Sequence, residues 1–134
     1  MTPVPILYDP DCGFCRVSLA VFLRWDRDGR LRPVALGGRE ADRLLDGMPE
    51  DERMASWHLV DSGGVHSAGA AFPELFRLLP GGGPLAALAA RFPRASERTY
   101  RFVADHRSVL GRALPTAARR WADRMISRSG PNGR

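Results

Sequence analysis

The chain has 134 residues, a length that suits one domain with a single hydrophobic core. Hydrophobic residues make up 44% and charged residues 26%, proportions that exclude wholesale disorder. The longest uncharged apolar run, Pro84 to Ala90, is far shorter than the roughly 20 residues that cross a bilayer. We therefore expect no transmembrane segment. Because the first residues lack a secretory signal pattern, we also expect a cytoplasmic location.

The net charge of +5 is unevenly distributed along the chain. Residues 1–89 hold nine arginines against twelve acidic residues, a balance of −3, whereas residues 90–134 hold eleven against three, a balance of +8. All twenty basic residues are arginine, and a coding bias is the interpretation we favour. The alternative is a basic C-terminal face for an acidic partner, anionic lipid or nucleic acid. Because aromatic residues are not interleaved with these arginines, we expect no specific nucleic-acid partner.

The first third of the chain alternates between strand and helix patterns. Val4 to Tyr8 is a short apolar run typical of a strand, and an apolar stripe with helical spacing follows from Gly13 to Asp26. Leu31 to Leu36 predicts a second strand. Pro33 places this strand at a sheet edge, because a central strand needs the N–H group that proline lacks.

The middle of the chain predicts a short helix and a β-hairpin. Glu40 to Leu45 has helical spacing, and the polar segment after it, through Arg53, is interpreted as a loop. Two runs typical of strands, Trp57 to Asp61 and Val65 to Ala68, flank Ser62-Gly63-Gly64. Gly-rich turns between two such runs indicate a hairpin.

The remainder is predicted to be helical and is divided by the Pro-Gly-Gly-Gly-Pro segment at 80–84. The predicted helices are Pro73–Leu79, Leu85–Phe92, Ser96–Leu110 and Thr116–Ser127. We predict one domain over residues 1–128, with a core of 1–80 and a helical C-terminal extension of 84–128. Residues 129–134 are predicted to form a flexible tail.

The two cysteines of the chain, Cys12 and Cys15, stand at the predicted junction between the first strand and the first helix. In a reducing cytosol such a pair is seldom structural. Unpaired N–H groups and peptide dipoles at a helix N-terminus favour a thiolate, which is the nucleophile of disulfide exchange. Since residues three apart share one helix face, Cys15 can reach the sulfur of Cys12. We predict that Cys12 attacks a substrate disulfide and that Cys15 resolves the mixed disulfide.

Five neighbouring residues are candidates for supporting roles. Asp9 is interpreted as a turn-forming residue or, alternatively, as the proton acceptor for the second cysteine. Asp11 is expected to cap the helix or to be a solvated charge, and Gly13 to allow a tight turn. Phe14 would pack beside the site or dock apolar substrates. Arg16 would offset the two acidic residues or point into water.

The nine residues from Leu7 to Cys15, Leu-Tyr-Asp-Pro-Asp-Cys-Gly-Phe-Cys, resemble the motif of the DCC family of thiol-disulfide oxidoreductases, named for Asp-x-x-Cys-x-x-Cys. Asp9, Cys12 and Cys15 match this motif position by position. The resemblance continues through Leu31–Leu36, Trp57–Gly69 and Tyr100–Arg107. It implies a thioredoxin-like α/β fold and a dithiol activity. We expect a four-stranded mixed sheet of order 2-1-3-4 that is flanked by helices.

The sequence thus predicts a thiol-disulfide oxidoreductase that needs no bound cofactor or metal. Its expected partners are a disulfide-containing protein or a low-molecular-weight thiol, together with an external reductant. The sequence departs from the thioredoxin-like pattern in one respect. Thioredoxin-like proteins usually have a cis-proline just before the third strand. Here Met54-Ala55-Ser56 precedes Trp57, which leaves substrate docking through that element open.

Two other functions stay open at this point. Cys12 and Cys15 could bind a metal or an iron–sulfur cluster, since Cys-Gly-Phe also resembles the site of cluster-binding glutaredoxins. With His58 and His66 they supply four zinc ligands by count, although the spacing fits no finger or ribbon pattern. In the predicted hairpin His58 faces Ser67, so that the two imidazoles are not directly paired. The other alternative is a non-catalytic adaptor that binds through the arginine-rich C-terminal helices.

Overall fold

A computed structural model describes residues 3–129, which comprise four strands and eight α-helices. The strands are β1 Val4–Tyr8, β2 Leu31–Ala35, β3 His58–Asp61 and β4 Gly64–Ser67. The helices are α1 Gly13–Trp25, α2 Arg39–Leu44, α3 Glu50–Ala55, α4 Phe72–Leu78, α5 Gly83–Arg91, α6 Pro93–Asp105, α7 Arg107–Ala113 and α8 Thr116–Ser129. A 3₁₀ turn, Ala68–Ala71, joins β4 to α4.

The strands form one mixed sheet of order β2-β1-β3-β4, which confirms the predicted order and the thioredoxin-like α/β class. Strand β1 runs parallel to β2 and antiparallel to β3, and β3 pairs with β4 as a hairpin. Pro33 lies in the edge strand β2 opposite Ile6, where only one side of the strand needs ladder hydrogen bonds. The hairpin register places His58 opposite Ser67, as predicted, and His66 opposite Leu59.

The core lies on both faces of the sheet because neighbouring residues of a strand point to opposite sides. On one face Ile6 packs with residues of α1 and α4, including Leu19 and Leu75, both of them buried. On the other face Leu7 packs with Leu45 and other residues around β2 and α2. Strand β1 is therefore covered on both sides, which fixes the position of the turn that follows it.

Two predictions about the helices are wrong. The segment interpreted as a loop through Arg53 contains α3, whose first turn holds three acidic residues that favour a helix N-terminus. The single helix predicted over Ser96–Leu110 is broken between α6 and α7 at His106. The imidazole Nδ1 of His106 lies 2.7 Å from the carbonyl oxygen of Phe102, the acceptor that an uninterrupted helix would use.

The C-terminal helix α8 packs along α1 and also reaches β2. It continues to Ser129, and the rest of the predicted tail, residues 130–134, lies outside the described residues. No helix within residues 3–129 has the length and apolar character needed to cross a membrane. The packing of α8 on α1 matters for the site, because α1 begins at the cysteine pair.

Candidate functional site

The turn between β1 and α1 is built by Asp9. Its Oδ1 accepts a hydrogen bond from the N–H of Asp11 at 2.9 Å, and its carbonyl oxygen accepts one from the N–H of Cys12 at 3.3 Å. These are the bonds of an Asx-type turn, the structural role considered for Asp9. Asp11 is exposed, and Cys12 rather than Asp11 is the N-cap residue of α1.

The two cysteines are free thiols, both partly buried, at the first turn of α1. The backbone N–H of Cys15 donates to Sγ of Cys12 at 3.3 Å. The thiol of Cys15 also hydrogen-bonds to Cys12, so the two side chains are in contact. Burial, followed by that hydrogen bond and the charge of Cys12, raises the pKa of Cys15 to about 12. The surroundings of Cys15 therefore favour its protonated form.

Cys15 opens onto an apolar cavity of about 190 Å³ between β1, α1, the segment before β3, and α6. Its lining includes six aromatic residues, and Asp9 and Arg107 are its charged members. The rings of Trp57 and Phe72 lie 5.5 Å apart between centroids, and those of Phe72 and Tyr100 lie 6.3 Å apart. The aromatic residues of the lining are Tyr8, Phe14, Phe22, Trp57, Phe72 and Tyr100. Phe14 thus lies beside the thiols, in the position expected for packing or apolar docking.

The segment before β3, where thioredoxin-like proteins carry the proline, is occupied by Ser56 and Trp57. Both residues line the apolar cavity. The hydroxyl of Tyr100 hydrogen-bonds to the backbone of Trp57 and to the side chain of Ser56, while burial raises the pKa of Tyr100. Tyr100 on α6 therefore joins this segment to the cysteine site, a contact that the sequence did not indicate.

Cys12 opens onto a different space, a cleft of about 410 Å³ that we call the basic cleft. It is formed by the turn after β1, the start of α1, and residues of α7 and α8. Its lining residues are Asp9, Asp11, Cys12, Gly13, Arg16, Arg107, Ser108, Gly111, Arg112 and Arg119. Asp9 and Arg107 line both spaces, so the cysteine pair separates an apolar cavity from a charged cleft.

Arg16 makes contacts that the sequence did not predict. Its Nη1 donates to the carbonyl oxygen of Pro10 at 2.7 Å, which braces the turn. Its Nε lies 3.2 Å from Oδ1 of Asp123 on α8, an ion pair whose angle is not that of a hydrogen bond. Arg16 thus joins the first turn of α1 to α8, and its ion-pair partner is Asp123 rather than Asp9 or Asp11.

Helices α7 and α8 lie directly against the beginning of α1. A Cβ added to the buried Gly111 of α7 would meet the backbone nitrogen of Phe14 at 3.4 Å. A Cβ added to Gly13 would meet Nε of Arg119 at 3.6 Å, an ordinary contact, and Gly13 has no positive φ. The tight turn expected of Gly13 is therefore made by the residues before it. Arg119 is more than 100 residues from Cys12 in sequence, and only long-range packing brings it to the cysteines.

The hairpin histidines are engaged away from the cysteines. Nδ1 of His58 lies 2.6 Å from Oγ of Ser67, and its Nε2 lies 2.8 Å from the carbonyl oxygen of Arg53. Nε2 of His66 lies 3.0 Å from Oδ1 of Asp61. Within residues 3–129 one group of side chains, Asp61, His66 and Glu74, is close enough to share a metal ion, and it includes neither cysteine. The four-ligand zinc site considered from the sequence is therefore not assembled.

Comparison with known proteins adds one match. The family model described as DCC1-like thiol-disulfide oxidoreductase matches residues 6–113, which is most of the chain. The matched segment includes the cysteine pair, Asp9 and Arg107, and it ends before α8 begins. Comparisons with curated proteins and with solved structures found no match.

Proposed function

Because the chain belongs to the DCC1-like thiol-disulfide oxidoreductase family, we propose that it exchanges disulfides through Cys12 as nucleophile and Cys15 as resolving thiol. One observation carries this assignment. Sγ of Cys12, at the N-terminus of α1, accepts the N–H of Cys15. This hydrogen bond and the helix dipole both stabilise negative charge on that sulfur. Cys15, with its pKa of about 12, keeps its proton while Cys12 reacts.

The reaction divides into two exchanges that balance in atoms and electrons. The Cys12 thiolate attacks one sulfur of a substrate disulfide, forms a mixed disulfide and releases the other half as a thiolate. Cys15 then loses its proton and attacks Sγ of Cys12, which releases the second half. Two electrons pass from the protein to the substrate, and the protein retains a Cys12–Cys15 disulfide. A dithiol, or two molecules of a small thiol, returns it to the reduced state.

Asp9 is the residue we propose as proton acceptor for Cys15. Both residues line the apolar cavity, and the negative charge of the carboxylate contributes to the raised pKa of Cys15. One oxygen of Asp9 is engaged by the N–H of Asp11. The other makes no hydrogen bond to any residue between 3 and 129 and is available for the proton.

The proposed function also implies reaction partners, a cellular location and the extent of the domain. We propose a protein disulfide or a low-molecular-weight thiol as exchange partner, an external reductant, and a cytoplasmic location, where a dithiol can be kept reduced. We also propose that residues 1–128 act as one domain, with the core of 1–80 and the extension of 84–128. The packing of α8 on α1 supports this unity, because α8 supplies contacts to the first turn of α1.

Replacing Cys15 with serine tests the assignment of the two thiols. Mixed with an uncharged small disulfide, Cys15→Ser is expected to accumulate a stable mixed disulfide on Cys12, seen by intact mass and peptide mapping. The matched variant, Cys12→Ser, should form almost none under the same conditions. A mixed disulfide on Cys15, or exchange retained at a comparable rate in Cys12→Ser, would refute Cys12 as nucleophile.

A further inference from the structure

The basic cleft beside Cys12 holds more positive than negative charge. Arg16, Arg107, Arg112 and Arg119 line it, and the acidic residues that line it are Asp9 and Asp11. Like charges gathered in one concave space repel each other and raise the affinity of the space for anions. The excess of two positive charges lies where a substrate must approach the sulfur of Cys12.

The arginines of the cleft differ in how many hydrogen-bond and ion-pair partners their guanidinium groups have within the protein. Arg16 is engaged by Asp123 and the carbonyl oxygen of Pro10. Arg119 donates through Nη2 to the carbonyl oxygen of Gly111, yet its buried Nε has no hydrogen-bond partner in the described part of the chain.

Arg107 and Arg112 have still fewer partners. Neither guanidinium group makes a hydrogen bond or an ion pair with any residue between 3 and 129, although Arg107 is partly buried. Guanidinium groups bind carboxylates through paired, charge-assisted hydrogen bonds. The cleft therefore offers donors from two helices, α7 and α8, that an anionic group bound next to Cys12 would satisfy.

The shape of the cleft limits the size of that group. Gly111 brings α7 so close to Phe14 that the first turn of α1 is covered rather than presented on an open surface. The volume of about 410 Å³ falls in the range of small-molecule pockets, roughly 300–1,000 Å³. A low-molecular-weight disulfide matches a space of this size.

We propose that the disulfide that reacts with Cys12 is a low-molecular-weight one whose ends carry carboxylates, held by Arg107, Arg112 and Arg119. This inference rests on the proposed function and specifies its substrate class. One carboxylate-bearing half forms the mixed disulfide with Cys12, and the other leaves as a thiolate near the same arginines. Resolution by Cys15 releases the second half, so that two thiols are formed for each pair of electrons.

The experiment compares two disulfides of similar reactivity and different charge. The reduced protein is mixed with glutathione disulfide, which carries carboxylates, or with uncharged hydroxyethyl disulfide, and its oxidation is followed by acid quenching and thiol trapping. Each rate constant is divided by that of the same disulfide with free dithiothreitol. We expect a normalised preference for glutathione disulfide of about tenfold at low salt, decreasing as the ionic strength is raised.

Arg112→Gln removes one donor from the exposed side of the cleft. It is expected to lower the normalised preference about threefold, because Arg112 is one of three arginines that hold the carboxylates and its ion pair is exposed to solvent. The matched control is Arg120→Gln, which removes an exposed arginine of α8 that does not line the cleft and should leave the preference unchanged.

The outcomes separate this inference from the function on which it rests. If hydroxyethyl disulfide oxidises the protein and glutathione disulfide reacts no faster after normalisation, the substrate class is wrong and the dithiol function stands. A preference that Arg112→Gln and Arg120→Gln reduce equally would also overturn the inference, because it would reflect overall charge. If neither disulfide oxidises Cys12 and Cys15, the proposed function itself fails.

Discussion

Replacing Cys12 with serine leaves Cys15 as the single thiol and tests how strongly its surroundings keep it protonated. The largest cause of its raised pKa is burial, and burial does not depend on the sulfur of Cys12. The contribution from the charge of Cys12 is lost in the variant, because a serine hydroxyl does not ionise between pH 6 and pH 10. We therefore expect the pKa of Cys15 to fall but to stay above the ordinary value of 9.0.

The size of the expected effect on the labelling rate follows from the fraction of Cys15 that is present as thiolate. At pH 8 a thiol with a pKa of about 12 rather than 9.0 has roughly a thousandfold less thiolate, and alkylation by iodoacetamide proceeds through the thiolate. In the unsubstituted protein at pH 8, Cys12 should take up one label while Cys15 remains unlabelled. In Cys12→Ser the labelling of Cys15 should be slow and should still be increasing at pH 10.

The assay is the rate of iodoacetamide labelling from pH 6 to pH 10, measured by intact mass. Cys15→Ser, in which Cys12 is the single thiol, provides the folded comparison, and Cys12→Ser unfolded in urea provides the ordinary thiol. A labelling rate for Cys15 that levels off below pH 9, or that equals the rate in urea, would refute the argument from burial.

Two further predictions concern stability. A Cβ at Gly69 would lie 2.6 Å from Cα of Glu97, so Gly69→Ala should lower the free energy of unfolding by about 1–3 kcal/mol. The control is Gly83→Ala, whose added Cβ meets nothing within 4 Å and which should be neutral or stabilising. The free energies of unfolding of both variants are measured by urea titration. If Gly69→Ala is as stable as Gly83→Ala, the close packing of α6 on the 3₁₀ turn is contradicted. Burial lowers the pKa of His58 below 6.5, so the neutral imidazole is favoured in the folded state. The contribution of the neutral imidazole to the free energy of unfolding is fully present above pH 6.5 and is lost as the pH falls through the pKa of the folded state. In urea titrations, His58→Gln should therefore weaken the pH dependence of the free energy of unfolding in this range.

Much of the fold could be predicted because the local signals agree with the tertiary structure. Pro33 identifies β2 as an edge strand, and the two-residue turn Ser62-Gly63 sets the hairpin register. The short helix α3 was missed because six residues give too little periodicity, although its acidic first turn was a usable signal. The break at His106 depends on a side-chain contact with a backbone carbonyl, which no apolar pattern reveals.

The site could be predicted only where it is local in sequence. Cys12, Cys15 and Asp9 follow from the spacing after β1. The residues that give each sulfur its surroundings come from distant helices: Tyr100 from α6 on the side of Cys15, and Arg119 from α8 on the side of Cys12. Their placement depends on how these helices pack against α1, and a single sequence does not show that packing.

The most direct test of the Cys12–Cys15 dithiol function is a redox titration of the protein, with thiol trapping and intact mass at each potential. We expect one two-electron transition between a form with two trapped thiols and a form that is two hydrogens lighter. Peptide mapping should assign the lighter form to an intramolecular Cys12–Cys15 disulfide. Two thiols that remain free at the most oxidising potential, or a disulfide that forms only between chains, would contradict this function.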